Sequence, residues 1–234
     1  MCTVSFVNTR GIIILTSNCY EKPTRLGVIK PEKHTVEGKN IVFLKDSKTK
    51  GTCCIADEKG TVLFLLKGAD MKYDVKLTYR KSRELIVLDV LNHESPKIFW
   101  NIINLEDIEP FTLVLYQDKR LFQLRWNGLK KESMELDINK NYMWSSATLD
   151  FKKNRLKQAN LFTTFLEGKK DLLSSILYFF HKYTEANDEE KSSVINSNKE
   201  IKSITQMIIE KNKLIFEYYD LVENKEFSTS LIID

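Results

Sequence analysis

The stretch Cys2-Thr3-Val4-Ser5-Phe6-Val7-Asn8-Thr9-Arg10-Gly11-Ile12-Ile13-Ile14-Leu15-Thr16 decides the fold class. Thr3–Val7 and Ile12–Thr16 are rich in β-branched and apolar residues. Asn8-Thr9-Arg10-Gly11 between them carries turn residues, so the segment reads as a β-hairpin. If Val7 pairs with Ile12, Cys2 lies opposite Ser17. A slip of one or two residues moves that partner to Asn18 or Cys19. The chain from Ser17 to Glu21 therefore returns to the N-terminus, and its residues are candidate neighbours of Cys2.

Outward from this hairpin the pattern repeats. Strands are expected at Asn40–Leu44, Gly51–Ala56 and Thr61–Leu66, the last two joined by the turn sequence Asp57-Glu58-Lys59-Gly60. Pro23 and Pro31 mark a Lys-rich irregular stretch. Ser82–Leu91 places Leu85, Leu88 and Leu91 at helical spacing behind Ser82 as an N-cap, and Ser95-Pro96 opens a short helix with proline at its first position. Phe111–Tyr116 and Leu121–Trp126 form a second hairpin, and Met143–Thr148 reads as a further strand. Two helices are expected, Asp150–Leu166 and Asp171–Tyr183, the second apolar at Leu172, Ile176, Phe179 and Phe180. Thr184–Lys199 reads as a solvated loop. Lys202–Glu210 and Leu214–Asp220 close the chain as a hairpin around Lys211-Asn212-Lys213. Hairpin-linked strands build antiparallel sheets, and blocks of helix cover the outer faces. The expected class is α+β, a four-layer αββα sandwich of two mainly antiparallel sheets, with residues 1–234 as one domain.

Hydrophobic residues make up 42% of the 234, enough for a sizeable core. The net charge of +4 comes from 36 basic and 32 acidic side chains spread along the chain, not from a cluster of the kind nucleic-acid binders use. The apolar runs Ile12–Leu15 and Thr61–Leu66 are too short to span a bilayer, and the N-terminus lacks a basic region followed by an apolar one. The expected compartment is cytoplasmic, where the four cysteines, Cys2, Cys19, Cys53 and Cys54, should be thiols. There is no CxxC spacing, and His34, His93 and His181 are scattered, so no metal site is expected. Cys53 and Cys54 read as strand packing.

Met1-Cys2-Thr3-Val4 and Ser17-Asn18-Cys19-Tyr20-Glu21, taken together, resemble the NRDE family, also called the transport and Golgi organisation protein 2 family. Members open with Met-Cys, and their second strand ends in Asn-Arg-Asp-Glu. Gly51-Thr52, Leu65-Leu66-Lys67-Gly68-Ala69, Tyr79-Arg80-Lys81-Ser82-Arg83, Glu109-Pro110-Phe111-Thr112-Leu113 and Trp144-Ser145-Ser146-Ala147-Thr148-Leu149 fit in order. Ile201–Leu221 is similar to the closing hairpin of bacterial members. The resemblance implies an N-terminal-nucleophile hydrolase fold in which removal of Met1 exposes the α-amine of Cys2. An α-amine titrates near about 7.7–8.0, so it can take the thiol proton while the thiolate attacks a carbonyl.

This chain departs from that pattern where the partners of Cys2 are expected. Cys19 and Tyr20 replace the family Arg and Asp, Lys50-Gly51-Thr52-Cys53 replaces Gly-Gly-Thr-Trp, and Lys67 replaces the Asn of Asn-Gly-Ala. Cys2 is thus the candidate catalytic residue, with Asn18, Cys19, Tyr20, Glu21 and Lys67 as pocket candidates. Lys67 reads equally as a solvated strand-end lysine or a charge directed into the pocket. Cys19 reads first as a small replacement in an altered site. Its alternative is a thiol close enough to Cys2 for a reversible disulfide or a two-thiolate ligand set, which a Cα separation above about 7 Å would exclude for the disulfide. Two functions stay open. One is Cys2-dependent hydrolysis of a linear amide; the other is non-catalytic binding or trafficking of a ligand, haem or lipid related, in the same cleft. Substrate and oligomeric state are not legible.

Overall fold

The Arg10-Gly11 pair closes the first hairpin as a two-residue turn, with φ of 50° and 80°, the left-handed geometry that matches strand twist. This turn is shorter than the four residues read from the sequence, and it sets the register. Val7 pairs with Ile14 instead of Ile12, and Cys2 pairs with Cys19. The structure is a computed structural model. It describes residues 2–19, 30–36, 38–46, 49–69, 73, 76–147, 152–169, 171–183 and 201–233, without the side chains of 152–154.

Strands β1 (Cys2–Thr9) and β2 (Ile12–Cys19) form this hairpin. It is followed by β3 (Glu32–Val36), β4 (Lys39–Phe43), β5 (Cys54–Asp57) and β6 (Val62–Lys67). Helices α1 (Arg83–Asn92) and α2 (Pro96–Ile102) precede β7 (Phe111–Gln117), β8 (Arg120–Trp126), β9 (Lys131–Leu136) and β10 (Tyr142–Ser145). The chain continues through α3 (Lys152–Leu166), α4 (Ser174–Tyr183), β11 (Ser203–Glu210), β12 (Lys213–Asp220) and β13 (Lys225–Ile232). One sheet runs β10-β1-β2-β11-β12-β13 and the other β3-β4-β5-β6-β7-β8-β9, with antiparallel pairing throughout.

Side-chain alternation along the strands builds three apolar layers. Val4, Phe6 and Leu15 meet Ala56, Phe64, Leu66 and Val114 between the sheets. Leu63, Leu65, Phe111 and Leu113 pack outward under Ile86, Val87, Val90 and Trp100 of α1 and α2. Val7, Ile14 and Ile208 pack outward under Phe162, Leu177 and Phe180 of α3 and α4. The architecture is therefore the expected αββα sandwich.

Several local expectations are corrected. α1 buries the β-branched Ile86, Val87 and Val90 beside the expected Leu91, Leu88 only borders this core, and the Ser82 side chain makes no capping bond. In α4 the buried face is Leu177, Phe180 and His181, and Phe179 points outward. β3, β9 and β13 are strands where none was read. β10 spans Tyr142–Ser145, and Thr148, Asp150 and Thr184–Lys199 lie outside the described residues.

The quoted sequence motifs prove to be scaffold contacts. A Cβ on Gly51 would sit 2.3 Å from the Glu84 backbone, so only glycine lets this loop lie on the first turn of α1, where the Thr52 N–H donates to the Glu84 carbonyl. Arg83, almost fully buried, pairs with Glu109 at 2.9 Å and donates to the Tyr73 hydroxyl and the Pro110 carbonyl. The Tyr73 hydroxyl donates to Glu109, and burial pushes its pKa up to about 12.

Candidate active site

Cys2 opens β1, an inner strand between β10 and β2. Its side chain lies on the inter-sheet face with Val4 and Phe6 and is 6% exposed. The backbone is gripped from β10's end. The Ser146 N–H donates to the Cys2 carbonyl at 3.0 Å, the Ser146 hydroxyl donates to the same carbonyl at 3.1 Å, and the Cys2 N–H reaches that hydroxyl at 3.2 Å. Ser146 is itself fully buried, so this clamp works without competing water. The sequence reading placed Ser146 only among strand contacts; its bond to a residue 144 positions away carries no local signal.

Cys19 stands directly opposite Cys2 with a Cα separation of 4.5 Å, and the two sulfurs are joined as a disulfide. That separation lies within the range disulfides use, about 4.4–6.8 Å, and matches a close, non-hydrogen-bonded antiparallel pair. Cys19 is held on its other side by β11, and its carbonyl accepts the Lys202 N–H at 2.7 Å. Cys54 is buried in the same inter-sheet layer and Cys53 packs at its border; both carry thiols.

Asn18 does not share the face of Cys2. It pairs with Thr3, and both point outward to α4. Its side-chain carbonyl accepts from the Thr3 N–H at 3.1 Å and the Thr3 hydroxyl at 2.6 Å, and its amide donates to the His181 carbonyl. Lys67 pairs with Phe111, whose ring is packed under α1 and α2, so alternation puts Lys67 on the helix-side face of its strand. The face of Asn18, and the pocket alternative for Lys67, are read from position along the chain and not from strand face; the strand-end alternative for Lys67 is not at odds with its place at the end of β6. Tyr20 and Glu21 lie outside the described residues.

The strand end at Lys67-Gly68 instead packs against the residue that follows Ser146. A Cβ on Gly68 would meet the Ala147 Cβ at 2.6 Å, next to the Ser146 clamp, and the Gly68 φ of +79° is also a glycine conformation. Arg155 of α3 donates to the Ala69 carbonyl at 3.4 Å, which brings a guanidinium to this end of the sheets. Trp144 bridges the two sheets, its indole N–H donating to Gln123 at 2.8 Å.

Behind Cys2, on the outer face of β1, lies a buried polar seam. His181 Nε2 is 2.7 Å from the Ser5 hydroxyl and Nδ1 is 3.4 Å from the Thr3 hydroxyl. Because Thr3 gives its proton to Asn18, it accepts from His181, so Nδ1 carries the hydrogen and Nε2 accepts from Ser5. Complete burial lowers the His181 pKa to about 3, so the ring is neutral. A separate cavity of about 770 Å³, lined by His34, Phe43, Leu88 and His93 among others, lies on the far side of the second sheet from Cys2.

No protein-family model matches the chain, and no curated protein matches it by sequence. Solved structures do. A point variant of conjugated bile acid hydrolase from Clostridium perfringens superposes with a TM-score of 0.61 at 10% identity, covering 97% of this chain and 92% of its own. A second variant of that enzyme, with the cysteine at its own position 2 replaced by alanine, gives 0.60 at 11% identity over 98% and 92%. The Caenorhabditis elegans orthologue of N-acylethanolamine-hydrolyzing acid amidase gives 0.53 at 10% identity over 88% and 92%. The fold is that of N-terminal-nucleophile hydrolases. Among the described residues no helix is long and apolar enough to cross a membrane.

Proposed function

We propose that this chain is an N-terminal-nucleophile amidohydrolase in which Cys2, once Met1 is removed, attacks the carbonyl carbon of a linear amide. The observation that carries the reading is the placement of Cys2 at the start of an inner strand, on the inter-sheet face, with Ser146 clamping its N and O atoms. The names of the fold neighbours, a conjugated bile acid hydrolase and an N-acylethanolamine-hydrolyzing amidase, support an N-acyl amide as the substrate class. The motifs around Cys2, Gly51-Thr52 and Trp144-Ser145-Ser146 support a divergent NRDE-type member, with Cys19 and Tyr20 in place of the usual pair.

The chemistry needs one residue to be nucleophile and base. The α-amine of Cys2 takes the thiol proton and the sulfur forms a bond to the amide carbon. Collapse breaks the C–N bond, and the amine leaves with the proton returned by the α-ammonium. Water then adds to the thioester, giving up a proton to the α-amine, and the acid departs as the thiol is restored. Ser146 holds the nitrogen in place: its oxygen accepts one N–H of the α-amine, leaving the lone pair for the thiol.

Intact mass of the purified protein, followed by treatment of the reduced protein with a thiol-reactive acyl probe, tests this. The expected result is a chain lacking one methionine residue and a single adduct mapping to Cys2, absent in Cys2→Ala. A retained Met1 refutes the reading, because no α-amine base then exists.

A further inference from the structure

We propose that Cys19 is a resolving thiol, and that the Cys2–Cys19 disulfide is a reversible, protected form of the nucleophile opened by a dithiol reductant. The proposal rests on the amidohydrolase reading above. Its structural basis is independent of the chemistry: the turn at Arg10-Gly11 fixes a register in which the two cysteines face each other on the inter-sheet side at a Cα separation of 4.5 Å.

Both backbones are immobilised. Cys2 is clamped by Ser146, and Cys19 lies between β1 and β11 with its carbonyl bonded to Lys202. Opening or closing the bridge therefore changes the side chains and leaves the strand register in place. A thiol held this close outcompetes any dissolved thiol for its neighbour, because closure is intramolecular. Cys53 and Cys54, although in and beside the same layer, are not drawn into a bridge.

Exposure sets the direction of attack. Cys19 is partly exposed, whereas Cys2 is 6% exposed. An incoming thiolate reaches the Cys19 sulfur first, forms a mixed disulfide with it, and expels the Cys2 thiolate as the leaving group. The second thiol of the reductant then displaces Cys19, and the products are two cysteine thiols and an oxidised dithiol. Reoxidation by a small-molecule disulfide, such as oxidised glutathione, runs the same exchange in reverse, with two equivalents of free thiol released. While the bridge is closed Cys2 has no thiol to deprotonate, so the α-amine has no proton to accept and no thioester forms.

The gate is tested on the full chain. Alkylation with iodoacetamide and peptide mapping, without and with prior reduction by dithiothreitol that is removed before labelling, reports the bridge; labelling by the acyl probe under the same two conditions reports the nucleophile. In the wild type, reduction should free both Cys2 and Cys19 for alkylation and raise acyl labelling of Cys2 by about tenfold or more, and oxidised glutathione should reverse it. In Cys19→Ser, and separately in Cys19→Ala, the ratio of labelling with and without reductant should fall to about one. Labelling of wild-type Cys2 that is equal in both redox states, or a reductant ratio that survives in both Cys19 variants, overturns the gate and leaves the hydrolase reading intact. A fully reduced, mapped protein that remains inert to the acyl probe overturns the hydrolase reading and the gate with it.

Discussion

Acidifying the protein from about pH 7 to about pH 5 tests the polar seam that pins α4 to β1. His181 is 2% exposed and its bonds run to the hydroxyls of Ser5 and Thr3, with no carboxylate among them, so nothing in the seam offsets the cost of a charge. Desolvation lowers its pKa from 6.5 to about 3. A depressed folded-state pKa means that the unfolded chain binds the proton more readily. The stabilisation is therefore fully present above about pH 6.5 and is lost as pH falls toward about 3. One proton of difference corresponds to roughly 1.4 kcal/mol per pH unit, which gives a loss of about 2 kcal/mol between pH 7 and pH 5. Urea unfolding followed by tryptophan fluorescence at both pH values measures it. His181→Gln keeps an acceptor for Ser5 but removes the titrating group, so its loss over the same interval should be smaller by about that 2 kcal/mol. Other groups titrate alike in both proteins and cancel in the difference. Equal losses in wild type and variant would refute the assignment of a buried neutral imidazole.

Three further outcomes follow from the packing. Gly51→Ala forces a Cβ to within 2.3 Å of the Glu84 backbone and should destabilise the fold by about 3 kcal/mol, seen as a lower urea midpoint. Arg83→Met leaves Glu109 without its cation and the Tyr73 hydroxyl without the guanidinium N–H it accepts; a loss of about 3 kcal/mol is expected, seen as a lower urea midpoint. Ser146→Ala removes the side-chain bonds to the Cys2 backbone. It should cost about 1–2 kcal/mol and, in a labelling assay on the reduced protein, slow acyl transfer to Cys2 more than alkylation of it.

The sequence states the architecture clearly wherever strands are apolar. β1, β2, β6, β7, β8, β11 and β12 all alternate or run apolar between turn residues, and the turns at Asp118-Lys119 and Lys211-Asn212 fall within the loops read from the sequence. The missed strands are all edge strands. β3, β9 and β13 are composed largely of Lys, Glu, Ser and Thr, and a strand with one solvated side needs little apolar periodicity to pair. In the site, Cys2 and Cys19 were legible because a hairpin is local and its register varies by only a few residues. Asn18 and Lys67 were near in sequence to the right strands but on their other faces, a distinction that one residue of register reverses. Ser146 and His181 reach β1 from 144 and 176 residues away, and His181 lies on a helix whose apolar spacing suggested a different buried stripe.

The position of β2 has a consequence for how the molecule is made. The first hairpin has everything it needs within its own residues, but its two neighbours in the sheet are β10, beginning at Tyr142, and β11, beginning at Ser203. Ile14 must wait for Ile208, and Phe6 for Tyr142, before either strand loses its open edge. Such pairing has high contact order and is slow, so during synthesis this hairpin spends a long interval as an unpaired ribbon. The architecture makes the first hairpin depend on strands that follow far later in the sequence, so the clamp on Cys2 forms only after Ser146 has been made and the edge beside Cys19 closes only after β11.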